Sequence, residues 1–393
     1  MTGWRWPATA VAAALAAAAL VGCGSTRAGG TGQPARPATL SQATSAGYPD
    51  GTWAALVMGG SAAEHNNFWQ VFVRPAGKQA AWRLATPLGV ASNGGIAVTA
   101  TGGPALVASL LPSQALHFSP LAQSTDNGDK WAADGLLDAP LASTPSALAA
   151  TPGGGLIALT RDGVAEVAGH AGGSWTHLAT ERSVAGSAAA RSCGLTGLTA
   201  AGYTASGTAL LAGSCSRGSR AGIFAHGAGG GWVAAGPALP TALSGHPVDV
   251  LQLARSGDTE VALLQVGSGP AASLLGAWST GSGGSSWQLS APYRLAGAQP
   301  RSAAVAGQAL GVLLSGGRPV TVTGPGTAWR RLPALPASTA GLAAGAATLA
   351  AGPAGGFQLL TARLSKMSVW AAGPAGWTRS QVIKVSIPYG SSG

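Results

Sequence analysis

Residues 156–175 read Leu156-Ile-Ala-Leu-Thr-Arg-Asp-Gly-Val-Ala-Glu-Val-Ala-Gly-His-Ala-Gly-Gly-Ser-Trp175. Two apolar runs are separated by a short turn, and a Gly-rich turn leads from the second run to a tryptophan. The same order of features recurs along the chain, and its tryptophans are Trp82, Trp131, Trp175, Trp232, Trp287, Trp329 and Trp377. Successive gaps are 49, 44, 57, 55, 42 and 48 residues.

Each repeat predicts four short strands. The strand before the Gly-rich turn is apolar, as in Ala221-Gly-Ile-Phe224 or Met367-Ser-Val-Trp370, and another apolar strand precedes it. Farther upstream lies a strand of small residues, such as Ser146-Ala-Leu-Ala149. A glycine stands three residues before the tryptophan in five repeats, at Gly128, Gly172, Gly229, Gly284 and Gly326. A glycine at a fixed position in a turn predicts a backbone conformation that other residues adopt only at an energetic cost.

A period of 40 to 50 residues with short strands is typical of propeller blades. The sequence therefore predicts an all-β fold over residues 51–393, a seven-bladed β-propeller of four-stranded antiparallel blades. The first repeat has no evident inner strand, and the C-terminal run Val382–Ile387 is a strand without a blade. We expect that run to become the first blade's inner strand and close the ring. The alternatives are a solenoid or a two-sheet sandwich with coincidental tryptophan spacing.

The N-terminus predicts export. Residues 1–22 combine one basic side chain with an apolar run from Pro7 to Gly22, which is short for a membrane span but suits a signal peptide. The run ends Leu20-Val21-Gly22-Cys23, which resembles the lipobox of bacterial lipoproteins. That resemblance implies cleavage before Cys23 and diacylation of its thiol, and two acyl chains suffice for stable anchoring. An ordinary signal peptide or an uncleaved anchor is the alternative.

Residues 23–50 combine the acylated cysteine with a Pro-, Ala-, Thr- and Ser-rich stretch that has no apolar periodicity. This composition predicts a flexible tether. The expected location is the extracytoplasmic face of the cell membrane. Heavy use of alanine, and of arginine over lysine (18 against 4), resembles the bias of a high-GC actinobacterial genome.

Cysteine use agrees with export. Once Cys23 is acylated, Cys193 and Cys215 remain, and an even remainder outside the cytoplasm predicts one disulfide. We expect it within the fourth blade, between the inner strand and its neighbour.

The net charge of +10 is carried by single arginines without a basic block, which excludes an evident nucleic-acid site. A solvated surface is the simplest interpretation, and weak attraction to anionic lipid or cell-wall polymer stays open. No His, Cys or carboxylate spacing predicts a metal, and no Gly-rich loop predicts a cofactor. The longest loops, Gly59–Asn67 and Leu111–His117, are the best candidates for a binding rim.

One turn is more specific than the others. Ser124-Thr-Asp126-Asn-Gly128-Asp-Lys-Trp131 fits the pattern S-x-D-x-G-x-x-W, and Thr280–Trp287 is a weakened copy with Ser282 at the Asp position. The first segment resembles the Asp-box, or BNR repeat, of sialidase-like propellers. The resemblance implies a structural turn, in which Asp126 accepts backbone N–H groups and Trp131 packs between sheets.

The same resemblance implies the residues that a sialidase would need. These are three arginines that bind the substrate carboxylate, a tyrosine nucleophile paired with a glutamate, and an aspartate that acts as the acid/base. The nearest candidate for the first arginine is Arg74 in Val73-Arg74-Pro75, and no tyrosine lies in a recognisable site block. We therefore expect a membrane-tethered, non-enzymatic binding or scaffold protein, a monomer, whose partner is an extracytoplasmic protein or glycan. The alternatives are a divergent sialidase-like glycan hydrolase and a cell-wall glycan-binding module.

Overall fold

The computed structural model describes residues 45–47, 51–59, 68–77, 80–85, 95–110, 121–133, 141, 145–151, 154–160, 165–168, 174–280, 286–336, 339, 346–352, 355–363 and 365–385. The chain is all-β, and its described strands pair antiparallel into five four-stranded sheets and one nine-stranded sheet. The nine-stranded sheet contains two four-strand repeats and one further strand, so the described strands can be divided into seven antiparallel meanders. We number the meanders one to seven along the chain and call their strands inner, two middle and outer.

The strands of the first three meanders are β1 (Ser45–Gly47), β2 (Trp53–Gly59), β3 (Phe68–Arg74) and β4 (Arg83–Leu84); β5 (Gly95–Gly102), β6 (Ala105–Leu110), β7 (Leu121–Ser124) and β8 (Ala132–Ala133); β9 (Pro145–Ala150), β10 (Leu156–Thr160), β11 (Ala165–Ala168) and β12 (Trp175–Ala179).

Meanders four and five are joined, because the end of the fourth meander's first middle strand pairs with the start of the fifth meander's inner strand, β14 with β17. Their strands are β13 (Leu195–Tyr203), β14 (Ala209–Cys215), β15 (Ile223–His226) and β16 (Trp232–Ala234); β17 (Val248–Ser256), β18 (Thr259–Val266), β19 (Ser273–Thr280) and β20 (Trp287–Leu289), with β21 (Tyr293–Arg294) also paired to β19.

The last two meanders complete the order. Their strands are β22 (Pro300–Ala306), β23 (Ala309–Leu314), β24 (Arg318–Val322) and β25 (Arg330–Arg331); β26 (Ala347–Ala351), β27 (Phe357–Arg363), β28 (Lys366–Gly373) and β29 (Gly376–Lys384).

The middle strands are apolar because both of their faces are covered. Every residue of β10 and β14 is buried, and such strands read as continuous apolar runs rather than as alternating ones. The predicted small-residue inner strands and apolar middle strands therefore fall where the sequence placed them.

Seven clusters of buried side chains fill the spaces between the described meanders. Six of them each combine two consecutive meanders, from one–two to six–seven. The remaining cluster combines the first and last meanders, and includes Val57 and Phe72 together with Leu360 and Val369.

Each of the seven repeated tryptophans belongs to a different one of these clusters, the one that its own meander shares with the preceding meander. Several reach across by hydrogen bonds. The indole N–H groups of Trp287, Trp329 and Trp377 donate to Ala235 O (2.6 Å), Ser290 Oγ (3.1 Å) and Pro333 O (2.8 Å) in the meander before. The spacing of the tryptophans is therefore the spacing of the interfaces.

Trp82 occupies this position between the first and last meanders. Its indole N–H donates to Gln358 Oε1 at 2.8 Å. The side chain of Gln381 bonds both main-chain groups of Trp82, accepting from its N–H at 3.0 Å and donating to its C=O at 2.6 Å. Arg74 adds a bond from Nη2 to Ala351 O at 3.1 Å. Among the described residues, side chains rather than a shared strand join the first and last meanders.

The expectation that Val382–Ile387 closes the first meander is wrong. Val382, Ile383 and Lys384 belong to β29, the outer strand of the seventh meander, and pair with β28. The first meander's inner strand is β1, which pairs with β2 and lies in residues that the sequence analysis placed in the tether. The three-residue β1, Ser-Ala-Gly, carries too little apolar pattern to be recognised as a strand.

Two short helices, α1 (Glu181–Ala185) and α2 (Ala188–Cys193), were not predicted from the sequence. They lie in the longest gap between tryptophans, which they account for. Thr180 and Ser187 cap them by accepting from the N–H groups of Ser183 and Ala190. The available signals were Thr180 followed by an acidic residue for α1 and Ser187 followed by three alanines for α2.

We expect Gln381→Ala to lower the free energy of unfolding by about 1–3 kcal/mol, because two main-chain groups of Trp82 lose their partner beside a buried cluster. Thr378→Ala, an exposed substitution on the same strand, is the control and should change it by less than about 0.5 kcal/mol. Chemical denaturation measures both. Equal stability of the two variants would contradict the role of Gln381 in joining the chain ends.

Candidate functional site

The Asp-box-like segment forms the turn between β7 and β8. Ser124 Oγ accepts from the N–H of Gly128 at 2.8 Å and lies 2.9 Å from Asp126 Oδ1, to which it donates. The same carboxylate oxygen accepts from the N–H of Lys130 at 2.8 Å, and this bond is the main cause that lowers the pKa of Asp126. The predicted acceptor role of Asp126 is confirmed, and its bonds all lie within the turn.

The turn is fastened to the first meander. Arg83 Nη1 lies 2.5 Å from Asp129 Oδ1, and its Nη2 donates to Asn127 O at 2.8 Å. Trp131 packs against the cluster of meanders one and two, while its indole N–H donates to Gly128 O at 3.1 Å inside the turn. This arrangement holds the first two meanders against each other.

Gly128 is required for two independent reasons. Its φ of 81° lies in the left-handed region, and a Cβ there would approach Ala85 Cβ to 2.8 Å. Gly326 shares the positive φ, at 69°, whereas in the fourth meander Gly230, and not Gly229, adopts it. The glycine prediction is therefore confirmed at two positions and displaced by one residue at a third. Gly172 and Gly284 lie outside the described residues.

Cys193 and Cys215 form the predicted disulfide, with their Cα atoms 5.3 Å apart. Cys215 ends β14 as expected, but Cys193 ends α2 instead of lying on the inner strand. Both half-cystines belong to the cluster of meanders three and four, so the bond ties the helical insertion to the sheet.

The residues that a sialidase-like site would need have other environments here. The Arg74 side chain is buried at the junction of the first and last meanders, 5.8 Å above the Trp82 ring, and burial lowers its pKa. Tyr203 is buried in the cluster of meanders three and four, and desolvation raises its pKa to about 12. A raised pKa opposes the phenolate that a tyrosine nucleophile needs.

Buried polar groups concentrate elsewhere, in meanders four and five. Five of the six buried side-chain atoms without a partner in the described residues belong to these two meanders; the five are Tyr203 OH, Gln252 Oε1, Glu260 Oε2, Gln265 Oε1 and Ser279 Oγ. Native interiors contain few such atoms, so their grouping sets meanders four and five apart among the described residues.

Glu260 lies near the start of β18, next to the turn that links β17 to β18. Its Oε1 accepts from the N–H of Ala205 at 2.8 Å, across the interface of meanders four and five. Its cross-strand neighbours are Arg255 and Ser279. Desolvation raises the pKa of Glu260, although the Ala205 N–H opposes the shift. A carboxyl group that keeps its proton to higher pH can donate as well as accept a hydrogen bond.

Asp249 lies at the opposite end of the same interface. Its carboxylate accepts from the hydroxyl of Ser214, its partner across the β14–β17 junction, and its other cross-strand neighbour is Gln265. Desolvation raises the pKa of Asp249 against the effect of the Ser214 bond. Sequence reasoning singled out neither acid, although a lone carboxylate within an apolar strand pattern, as in Val248-Asp-Val and Glu260-Val-Ala, was a usable signal.

Several predicted sites lie outside the described residues, namely Cys23, Ser282 and the loop segments 60–67 and 111–117. Among the residues that are described, no group of three or more His, Cys, Asp or Glu side chains could hold a metal ion. None of the described helices has both the length and the hydropathy of a membrane span.

Comparisons with known proteins give fold-level likenesses alone. No protein-family model and no curated protein matches the chain. Similar solved structures include YCF48 bound to D1 peptide (16% identity, 76% of this chain and 82% of that one, TM-score 0.45). A putative 6-phosphogluconolactonase from Bacteroides uniformis (12%, 85% and 97%, TM-score 0.49) and the Dos1 propeller (10%, 88% and 84%, TM-score 0.47) are also similar. At these TM-scores the likenesses carry no argument about this chain.

Gly128→Ala should destabilise the protein more than Gly230→Ala does. Both positions have a positive φ, 81° and 79°, but a Cβ at residue 230 meets nothing within 4 Å. The left-handed backbone costs both variants about 1–2 kcal/mol, and overpacking against Ala85 costs Gly128→Ala about 1–3 kcal/mol more. Thermal and chemical denaturation measure the difference. Equal losses would show that the turn does not press against the first meander.

Glu260→Gln should stabilise the protein at neutral pH, because glutamine keeps an acceptor for the Ala205 N–H and removes a desolvated charge. The raised pKa means that folded Glu260 binds its proton more tightly than unfolded Glu260 does, so the charge weakens the wild type at neutral pH. The gain should therefore shrink as the pH falls into the acid range. Asp258→Asn removes a neighbouring charge that adds to the rise in the pKa of Glu260, so it should give a smaller gain of the same sign. A gain from Glu260→Gln that is independent of pH would contradict the argument.

Proposed function

We propose that the seven meanders are the blades of a closed β-propeller. The support is the packing cycle, in which each repeated tryptophan contacts the preceding meander and Trp82 makes the same kind of contact with the last one. Antiparallel meanders that stack in this way leave only short edges exposed.

We propose further that the propeller is a non-enzymatic binding or scaffold protein. The observation that carries this proposal is the environment of Arg74. The arginine nearest to a sialidase pattern donates to Ala351 O inside the frame, where it holds two meanders together. The buried Tyr203 supports the same conclusion, since its phenol lies between two sheets. A rigid frame of this kind presents loops for binding.

The proposed location is the extracytoplasmic face of the cell membrane, reached through a lipid on Cys23. The signal-peptide pattern of residues 1–22 supports export, as does the Cys193–Cys215 disulfide, because disulfides persist in oxidising compartments. The expected partner is an extracytoplasmic protein or glycan.

One observation favours a second function. The Ser124–Trp131 turn has the hydrogen bonds that the Asp-box resemblance implies, so a divergent sialidase-like glycan hydrolase or a cell-wall glycan-binding module is the alternative. A panel of fluorogenic glycosides tests the first, and a pull-down on purified cell wall tests the second. Turnover of any glycoside by the purified wild type, absent from a Tyr203→Phe variant, would refute the non-enzymatic role.

Metabolic labelling with radioactive palmitate tests the anchor. We expect wild type to incorporate label and to partition into detergent, and Cys23→Ala to do neither, because the thiol is the acyl acceptor. The double variant Cys193→Ser/Cys215→Ser is the matched control and should keep the label. Labelled Cys23→Ala would show that the lipid, if any, lies elsewhere.

A further inference from the structure

The charge of this protein is divided unequally along the chain. Residues 261–393 contain nine Lys or Arg residues and no Asp or Glu, since Glu260 is the last acid. The first 260 residues hold the other 13 basic residues (22 less 9) and all 12 acids, a net charge of +1. Nine of the ten net positive charges therefore belong to the end of meander five and to meanders six and seven.

All nine basic side chains are exposed, and six of them share one end of their meanders. We call the end at which the inner strand begins the upper end. By pairing register, Arg294 lies opposite Ser273 at the start of β19, Arg301 is the second residue of β22, and Arg318 begins β24. The remaining three, at the upper end of meander seven, are Arg363, Lys366 and Lys384.

The three residues of meander seven form one row. Arg363 pairs with Lys366 at the β27–β28 turn, and Lys366 pairs with Lys384 of β29. Like charges directly opposite each other on a sheet are destabilising. Residues 261–393 contain no acid that could offset the repulsion among these three basic side chains. An anionic partner would reduce this repulsion.

The upper ends of these meanders face the same way. The third residues of inner strands β22 and β26 meet, because Ser302 Oγ accepts from the N–H of Leu349 at 3.1 Å. At the lower ends, Trp278 Nε1 donates to Gln308 O at 2.9 Å, which aligns meander five with meander six. The six basic residues therefore form one surface, the basic face.

Four of the described acids lie at lower ends, whereas Glu181, just past the upper end of β12, does not. Asp258 and Glu260 lie at the lower end of meander five, and Asp126 and Asp129 lie in the lower turn of meander two. In residues 248–393 the remaining acid is Asp249, at the upper end, and the Ser214 hydroxyl donates to it. Among the described residues of meanders five to seven, the upper ends therefore carry six basic residues and one acid, Asp249.

We infer that the basic face binds the anionic phospholipid surface of the membrane. The inference rests on the proposed lipid anchor for its orientation. β1 begins at the upper end of meander one, and Arg74 at the lower end of this meander bonds Ala351 O at the lower end of meander seven. The upper ends of meanders one and seven therefore lie on the same side, and β1 begins on the side of the basic face. An anchor on that side brings basic residues to the headgroups, and each one near an anionic surface strengthens binding about fivefold.

Vesicle co-sedimentation of the full chain carrying Cys23→Ala tests this inference without the lipid. The probes are phosphatidylcholine vesicles with and without phosphatidylglycerol, at low and high NaCl. All variants contain the apolar run 7–22, which can itself bind vesicles. The comparison therefore uses only the differences in bound fraction between variants and between vesicle compositions. The face variant is Arg363→Gln/Lys366→Gln/Lys384→Gln. The control, Arg330→Gln/Arg331→Gln/Arg379→Gln, removes the same charge from exposed positions on β25 and β29 away from the upper ends.

We expect the face variant to lose tenfold or more in affinity for anionic vesicles at low salt, and the control to lose much less. Arg294→Gln/Arg301→Gln/Arg318→Gln, on the same face in other meanders, should behave like the face variant. Equal losses in face and control variants would overturn the proposal, because net charge alone would then explain binding. Binding to soluble polyphosphate with none to anionic vesicles would also overturn it. Palmitate labelling of Cys23 is a separate measurement, so failure of the anchor and failure of the basic face are distinguishable.

Discussion

The contact of each outer-strand tryptophan with the preceding meander is the interaction on which the rest of this structure depends. A four-stranded sheet of small and aliphatic residues has two apolar faces and must cover both. The indole supplies a large apolar area and one N–H donor, so it can fill the gap and also bond a polar atom of the neighbour, as Trp287 and Trp377 do. Repeating this contact spaces the sheets and sets the period of the sequence.

The same kind of contact joins the first and last meanders. Trp82 packs against the last meander as the other tryptophans pack against their predecessors, and Gln381 and Arg74 add polar bonds that a sheet edge would otherwise lack. No exchanged strand is needed, because β1 supplies the first inner strand and β29 completes the last sheet. Arg74 Nη2 and the Gln381 side chain are thereby engaged in bonds between the first and last meanders.

Strand order, the glycine turn at Gly128 and the disulfide were predictable because each has a local cause: apolar runs, a left-handed φ and an even cysteine count. The partners of Trp82 were not predictable, since Gln358 and Gln381 lie far along the chain and resemble any other surface glutamine in sequence. The polar interior of meanders four and five was likewise hidden. Burial of Glu260 follows from the packing of two sheets, whereas its sequence position suggests only a strand start.

A double-mutant cycle between Trp82 and Gln358 tests the central claim most directly. Trp82→Phe keeps an aromatic ring and removes the indole N–H, and Gln358→Leu removes its acceptor. The reference cycle, Trp329→Phe with Ser290→Ala, probes the same contact between meanders five and six. If the last meander packs against the first as each other meander packs against the next one in the chain, both cycles should give coupling free energies of about 1 kcal/mol. Coupling in the reference cycle with simple additivity for Trp82 and Gln358 would contradict the account.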